Sequence, residues 1–316
     1  MHAVAINDHR LELVERPTPA PGPHDVVVAV RAAGVNAADL LQRQGFYPAP
    51  PGWPADVPGM EVAGVVSEVG EQVREPLLGR RVCAIVGGGA QAEFCVVPRE
   101  HLLYVPEHVD WSEAGGFAEV FTTAHDALVT QGRLESGQRV VISGAAGGVG
   151  VAAVQLARVL GAHVIAVTRT SEHHEELRAL GADEVLTLDQ VGQLEPVDLV
   201  LELVGAAHLV SAQRILAPFA RVVVIGVAGG GRVELDLLAM MQRRVTITGS
   251  TLRSRSREEK ATVVEQVARD VVTRWTTREL TVPVAATFEL ADATDAYEYF
   301  ARPGKFGKVV LRVGEQ

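Results

Sequence analysis

Residues 139–170 read RVVISGAAGGVGVAAVQLARVLGAHVIAVTRT. Val140 to Ile142 form a β-branched apolar run, the signature of a buried strand. A turn of small residues follows, Gly144 to Gly150. Val149, Ala153, Leu156 and Leu160 then recur at helical spacing, and Gly161 stands where a helix C-cap is expected. His163 to Val167 reads as a second strand. The unit is strand, glycine turn, helix, strand, the context in which a dinucleotide fingerprint carries meaning.

Within the turn the pattern G-x-G-x-x-G occurs as Ala145, Gly147 and Gly150, with alanine in the first place. Gly147 and Gly148 let backbone approach a pyrophosphate where a Cβ would intrude, and Gly150 allows the helix to pack on the strand. The helix N-terminus turns its N–H groups and positive dipole end toward the phosphates. An NAD site usually places an acid about 20 residues beyond the glycines, on the ribose 2′-hydroxyl. Here the second strand ends Thr168-Arg169-Thr170-Ser171, and the first acid is Glu172. A guanidinium with hydroxyls beside it suits a 2′-phosphate, so Thr168, Arg169 and Thr170 point to NADPH.

Outward from this unit the texture differs on the two sides. From Glu119 onward, apolar strands at Val140–Ser143, Val164–Val167, Glu184–Leu186, Leu199–Glu202, Arg221–Val227 and Thr246–Ser250 alternate with helical segments. Six of them predict a doubly wound parallel sheet, an α/β Rossmann domain. Before Trp111 the chain is strand-rich and broken by Pro and Gly, the pattern of a small barrel-like β domain. Asn36 is a candidate N-cap for a short helix to Gln44, and a proline-rich loop follows from Tyr47. Beyond Arg257 a polar-apolar helix runs to about Trp275, and the closing strand Lys308–Arg312 is expected to return to the first domain.

Whole-chain properties narrow the function classes. The 316 residues suggest two domains. A net charge of −10 argues against a general nucleic-acid or anionic-membrane surface. No apolar run reaches the roughly 18 residues of a membrane span, and no signal peptide is visible at Met1. Only Cys83 and Cys95 occur, too few for a disulfide framework, which fits a cytoplasmic protein. They are also too few for a structural zinc, so no metal is expected. Val245–Thr248, a β-branched strand at the expected sheet edge, invites pairing with a twin, hence a homodimer.

Asn36 to Gly45 with Tyr47-Pro48, then Pro58-Gly59-Met60-Glu61-Val62-Ala63-Gly64, then Ala145 to Gly150, resemble the quinone oxidoreductase (zeta-crystallin-like) branch of the zinc-free medium-chain dehydrogenases/reductases. Gly249 to Arg255, GSTLRSR, is similar to the p53-inducible quinone oxidoreductases of that branch. The resemblance implies a GroES-like catalytic domain in two parts, 1–118 and 257–316, around a cofactor domain at 119–256, with a cleft between them. It implies that Asn36 and Thr123 lie near the nicotinamide, that Tyr47 lies beside the acceptor, and that the backbone of Ala145, Ala146, Gly147, Gly148 and Val149 holds the pyrophosphate. Val204, Gly205, Gly226, Val227, Leu252 and Arg253 would line the cofactor cleft.

Plainer roles stand beside these. Asn36 can simply cap its helix, Thr123 start one, Tyr47 pack on prolines, and Arg253, Arg255 and Arg257 form a solvated helix start. The NADP-binding members' usual lysine and tyrosine correspond here to His173 and Leu188, so the 2′-phosphate would rely on Arg169, Thr170 and a donating His173. The activity implied is NADPH-dependent hydride transfer to a small-molecule quinone. The alternatives are reduction of an enone or enoyl double bond on the same scaffold, and a cofactor-binding structural protein with little turnover.

Overall fold

The computed structural model describes residues 1–314. The chain divides into two compact units, one of Met1–Thr122 with the chain from Leu252 onward, the other Thr123–Thr251. The expected boundaries at 118/119 and 256/257 lie within a few residues of these.

The second unit is a six-stranded sheet in the order Glu184–Thr187, His163–Thr168, Arg139–Ser143, Val197–Glu202, Leu216–Val224, Thr246–Gly249. Every neighbouring pair is parallel. In chain order this is 3-2-1-4-5-6, the doubly wound Rossmann arrangement. The central strands Arg139–Ser143, His163–Thr168 and Val197–Glu202 are buried on both faces, so they read as continuous apolar runs rather than alternating ones. Val141, Ile165, Val200 and Val222 meet in one core with Leu209, Ile215 and Leu216. The fifth strand begins and ends earlier than its hydrophobic run suggests. Ile225 and Gly226 leave it to donate their N–H groups to the carbonyl of Glu202. A Cβ at Gly226 would collide with the carbonyl of Leu203, so only glycine permits this crossing of backbones.

The first unit is built on a sheet in the order Val284–Glu289, Lys308–Arg312, Asp25–Val35, Glu61–Val69, Arg81–Ile85, Leu102–Tyr104, with Phe94–Pro98 also paired to Asp25–Val35. His2–Asn7 and Arg10–Glu15 form a separate antiparallel ribbon. The strand Lys308–Arg312 does return to this unit, antiparallel to Asp25–Val35, with Val309 opposite Val35 and Leu311 opposite Ala33. Its core joins Val26, Val28, Val62, Val82 and Val97 to Val309, Leu311 and the fully buried Tyr297. Among the described residues no helix is long and apolar enough to cross a membrane.

Candidate functional site

In the Rossmann unit, the strand order reverses between Arg139–Ser143 and Val197–Glu202. In doubly wound sheets, ligands sit outside the carboxyl ends of the strands at such a point. The glycine turn lies there. Gly144 adopts φ +61°, a left-handed conformation that reverses the chain directly after the strand. The N–H of Ala145 donates to the carbonyl of Val167 at 3.1 Å and that of Gly147 to the carbonyl of Gly144 at 3.0 Å, which fixes the turn. Gly147 then caps the helix Gly148–Val159. The first turn of a helix has N–H groups with no intrahelical acceptor, and here they open onto a partly exposed rim formed by Ala146, Gly147, Gly148 and Val149. A Cβ at Gly150 would lie 2.5 Å from the carbonyl oxygen of Gly144 and 2.6 Å from Cα of Ala145. Gly150 is therefore a packing residue, as its place in the fingerprint implies.

On the other side of the switch point, a buried carboxylate builds the floor. Glu202 ends its strand fully buried. One oxygen accepts from the Ser143 hydroxyl at 2.7 Å and from the N–H groups of Val204 and Gly205 at 2.8 and 2.7 Å. The other lies 2.6 Å from Nδ1 of His208, which is 1% exposed. Burial alone would raise the carboxyl pKa, but the bonds from His208, the Gly205 N–H and Ser143 outweigh it and hold Glu202 below the usual range. The carboxylate thus freezes the Val204–Gly205 turn. Gly205 sits at φ +101°, and a Cβ there would meet the carbonyl of Gly230 at 2.5 Å. The N–H of Gly229 reaches the carbonyl of Val204 at 2.6 Å. Val204, Gly205, Gly226 and Val227 are accordingly brought together in one backbone-packed rim.

At the end of the second strand, Arg169 and Thr170 are exposed. Thr168 turns inward, its hydroxyl donating to the carbonyl of Thr170 at 2.8 Å and lying 3.0 Å from Nε2 of His174. His173 has Nδ1 at 3.2 Å from a Glu176 carboxylate oxygen.

The first unit centres its polar groups on a buried lysine. Nζ of Lys308 donates to the carbonyl of Val35 at 3.1 Å, to Oδ1 of Asn36 at 2.7 Å and to Oε1 of Glu61 at 2.6 Å. Asn36 returns a bond from Nδ2 to Glu61 at 3.0 Å, and the other Glu61 oxygen accepts the N–H of Glu119 at 2.9 Å. Asn36 is also the N-cap of Ala37–Arg43, where its own N–H is bound by the Asp39 carboxylate at 2.8 Å. Asp39 takes a second N–H from Gly59 at 3.2 Å. Burial drives the Asp39 pKa up to about 6, against the opposing pull of the Asn36 N–H, Lys308, Arg253 and the Gly59 N–H. Thr123, on helix Ala118–His125, is buried.

Tyr47 is half-buried, with the guanidinium of Arg253 5.1 Å from its ring centroid. The solvated reading of Arg253 is corrected here. The residue is 6% exposed, and its donors go to Gln42, Tyr47 and Gly87. Leu252 beside it is buried. Sequence reasoning gave no role to Lys308, Glu61, Glu202 or His208. The available signals were a charge opening an apolar strand, KVVLR, and an acid ending one, LVLEL.

The comparisons agree with this architecture. Residues 22–133 match the alcohol dehydrogenase GroES-like domain family and 148–269 the zinc-binding dehydrogenase family. The chain superposes on a crystal structure of the quinone oxidoreductase from Thermus thermophilus, solved alone and with NADPH, at TM-score 0.86 and 34% identity, covering 99% of this chain and 100% of that one. Human quinone oxidoreductase is 28% identical over 305 residues, 93% of this chain and 90% of its own length. The human synaptic vesicle membrane protein VAT-1 homolog is 35% identical over 229 residues, 69% of this chain but only 58% of its own length. This chain belongs to the quinone oxidoreductase branch of the medium-chain dehydrogenases/reductases.

The family matched by residues 148–269 is described as a zinc-binding dehydrogenase family. The donors here do not fit zinc. The glycine-glutamate motif offers Met60 in place of a histidine, and Asn36 stands where a thiolate would be needed nearby. Cys83 and Cys95 are buried strand residues; burial raises both thiol pKa values, that of Cys95 to about 12, so they remain thiols. Among the described residues no group of three or more His, Cys, Asp or Glu side chains could hold a metal ion.

Proposed function

We propose that this chain is a metal-independent oxidoreductase that uses NADPH to reduce a quinone or a similar electrophilic small molecule. The observation that carries the reading is the glycine turn at 144–150, opening helix Gly148–Val159 at the switch point of the sheet. The relatives whose names include quinone oxidoreductase, one of them solved with NADPH, support it. NADPH, when bound, supplies the hydride.

The residues of this chain bind and orient. The backbone of Ala145, Ala146, Gly147, Gly148 and Val149 holds the pyrophosphate, and Gly147 has no Cβ to intrude on it, although one added there would touch the fold itself only at 3.4 Å, at the Gly144 carbonyl. Arg169 and Thr170, both exposed, meet the 2′-phosphate, with His173 beside them. Val204, Gly205, Gly226 and Val227 form the wall that Glu202 stiffens. Asn36 and Thr123 orient the nicotinamide. Tyr47 packs against the acceptor or donates a hydrogen bond to its developing oxyanion. A quinone is already electrophilic and needs less Lewis-acid help than an aliphatic ketone, so alignment carries most of the task.

A homodimer is part of the same proposal. The strand Thr246–Gly249 is an edge of the sheet, and Ile247 on it is exposed. Leu237, Leu238 and Met241 on helix Leu237–Arg243 are exposed at 73%, 60% and 68%. An unpaired edge with apolar neighbours is what self-pairing would cover.

The test is NADPH oxidation with a benzoquinone, a naphthoquinone, an enone and an enoyl thioester side by side. Turnover of quinones supports the reading. Turnover of the enone or thioester alone replaces it with double-bond reduction, and tight NADPH binding with no turnover leaves a cofactor-binding protein. Arg169→Ala should weaken NADPH roughly ten- to a hundredfold, the loss of a charge-assisted phosphate contact, while sparing NADH. Equal losses for both cofactors would refute the phosphate assignment.

A further inference from the structure

Residues 46–55, FYPAPPGWPA, contain four prolines. Proline has no N–H, so this loop is rich in carbonyl acceptors and poor in donors. Its own backbone ties it down only in part, through Phe46 N–H to the Leu41 carbonyl at 2.9 Å and Trp53 N–H to the Pro50 carbonyl at 3.2 Å, so its other carbonyls call for donors from elsewhere. The structure shows one side chain doing this. Nη1 of Arg253 donates to the carbonyl of Tyr47 at 2.9 Å. Nη2 donates to Oε1 of Gln42 at 2.6 Å, and Nε2 of Gln42 donates in turn to the carbonyl of Ala55 at 3.2 Å. Both ends of the loop therefore hang from one guanidinium. Nε of Arg253 donates to the carbonyl of Gly87 at 2.9 Å. Gly87 is the residue on which Trp53 rests, since a Cβ there would lie 2.5 Å from the indole. The third donor thus fixes the platform under the middle of the loop. Lys260, itself buried, stands 5.8 Å from the Trp53 ring centroid.

We propose that Arg253 is a specificity-setting positioning residue: through Gln42, Tyr47 and Gly87 it holds the 46–55 loop in one preformed shape, and that shape fixes the size of acceptor admitted beside Tyr47. The second half of this rests on the reading that Tyr47 neighbours the acceptor. A guanidinium suits the task because it is a pure donor with a rigid planar fork, able to serve three acceptors in different directions at once. A lysine in its place keeps the charge but cannot reach all three.

The test compares wild type with Arg253→Lys, Arg253→Ala and Gln42→Leu. Hydrogen exchange is followed at the amides of Phe46, Tyr47, Ala49, Gly52, Trp53 and Ala55, and kinetics are measured with quinones of one, two and three fused rings. Losing these bonds should speed loop exchange about tenfold or more in Arg253→Lys, with the Gly147–Val151 amides unchanged. The kcat/KM ratio of the largest to the smallest quinone should rise about tenfold, mainly through KM, because a loosened loop admits what a fixed one rejects. Gln42→Leu should loosen the Ala55 end and leave the Tyr47 end protected. Millimolar guanidinium should restore protection in Arg253→Ala. Unchanged loop exchange in the folded Lys variant or in Gln42→Leu overturns the clamp. A loosened loop with an unchanged size ratio overturns the specificity role. An NADPH Kd that weakens as much as acceptor KM makes Arg253 a cofactor ligand and overturns it as well. Wild type that oxidises NADPH with no quinone sinks the functional reading, while the exchange data still decide the clamp.

Discussion

Replacing Lys308 by methionine should unfold the first unit far more readily, and the size of the effect follows from its surroundings. The ammonium and the Glu61 carboxylate are 3% and 0% exposed, so neither can fall back on water. Removing one partner of a buried ion pair typically costs about 3–5 kcal/mol, because the remaining charge is left uncompensated. Glu61 would keep the Nδ2 of Asn36 at 3.0 Å and the N–H of Glu119 at 2.9 Å. That partial solvation by the protein places Lys308→Met at the lower end, about 3 kcal/mol. The three tryptophans, Trp53, Trp111 and Trp275, all belong to the first unit, so their fluorescence reports its unfolding selectively. With a urea m-value of about 2 kcal/mol/M, the midpoint should fall by about 1.5 M. Glu61→Gln removes the charge that the lysine was matching, so the double variant should lose less than the two single losses combined, by about 1–3 kcal/mol. A midpoint shift under about 0.3 M, or strict additivity with Glu61→Gln, would refute the claim that this pair holds the sheet together.

Asp39 gives a pH signature of opposite sign to a usual carboxylate. Its folded-state pKa of about 6 lies above the ordinary aspartate value of 3.8, so the folded chain binds the proton more tightly than the unfolded one. Stability from this group is present below about pH 4 and is lost as pH rises to about 6, about 3 kcal/mol in total; Asp39→Asn should flatten the unfolding midpoint over that window, and an unaltered slope would sink the assignment. Gly150→Ala should cost about 1–3 kcal/mol of stability, because its Cβ meets backbone that cannot swing away. Gly147→Ala has room within the fold, so it should leave the melting temperature nearly unchanged yet weaken NADPH in a fluorescence titration; equal effects in both assays would deny the turn its phosphate role. Light scattering should return a dimer mass for wild type and a monomer for Thr248→Pro, which blocks edge pairing; a wild-type monomer ends that proposal.

How much of this was legible in the sequence depended on range. The Rossmann half is written in local periodicities. The run at 139–170, its glycine turn and the Gly161 cap are all fixed within one strand-helix-strand unit, and the sheet order follows from handed connections between such units. The end of the fifth strand was misplaced because Gly226 answers to Leu203 and Glu202, on a different strand, rather than to its own hydrophobic run. The buried networks were not legible at all. Glu61 and Lys308 are 247 residues apart, and a charge in a strand gives no hint of which partner pays its desolvation. Arg253 illustrates the same limit. The residues that follow it, Ser254, Arg255, Ser256 and Arg257, are polar and suggest solvent, while its acceptors lie more than 160 residues upstream. His173 was expected to face a phosphate, and whether it does so turns on its competing contact with Glu176, which spacing alone does not weigh.

The strand Lys308–Arg312 sits inside its sheet rather than at the rim, between Val284–Glu289 and Asp25–Val35. On a ribosome this imposes an order of events. Thr123–Thr251 is one uninterrupted stretch and can close its parallel sheet as soon as it emerges. The unit that was synthesised earlier must wait, with the Ala32–Val35 end of its strand presenting an open edge and Glu61 lacking its counter-charge, until residue 308 arrives. Such non-local pairing is slow, and an unpaired strand is the species that chaperones recognise and aggregates recruit. In vivo yield of this protein should therefore be governed by the interval between the making of Val35 and the making of Lys308, and a codon-level pause late in the message should lower its soluble fraction more than one placed within the Rossmann segment.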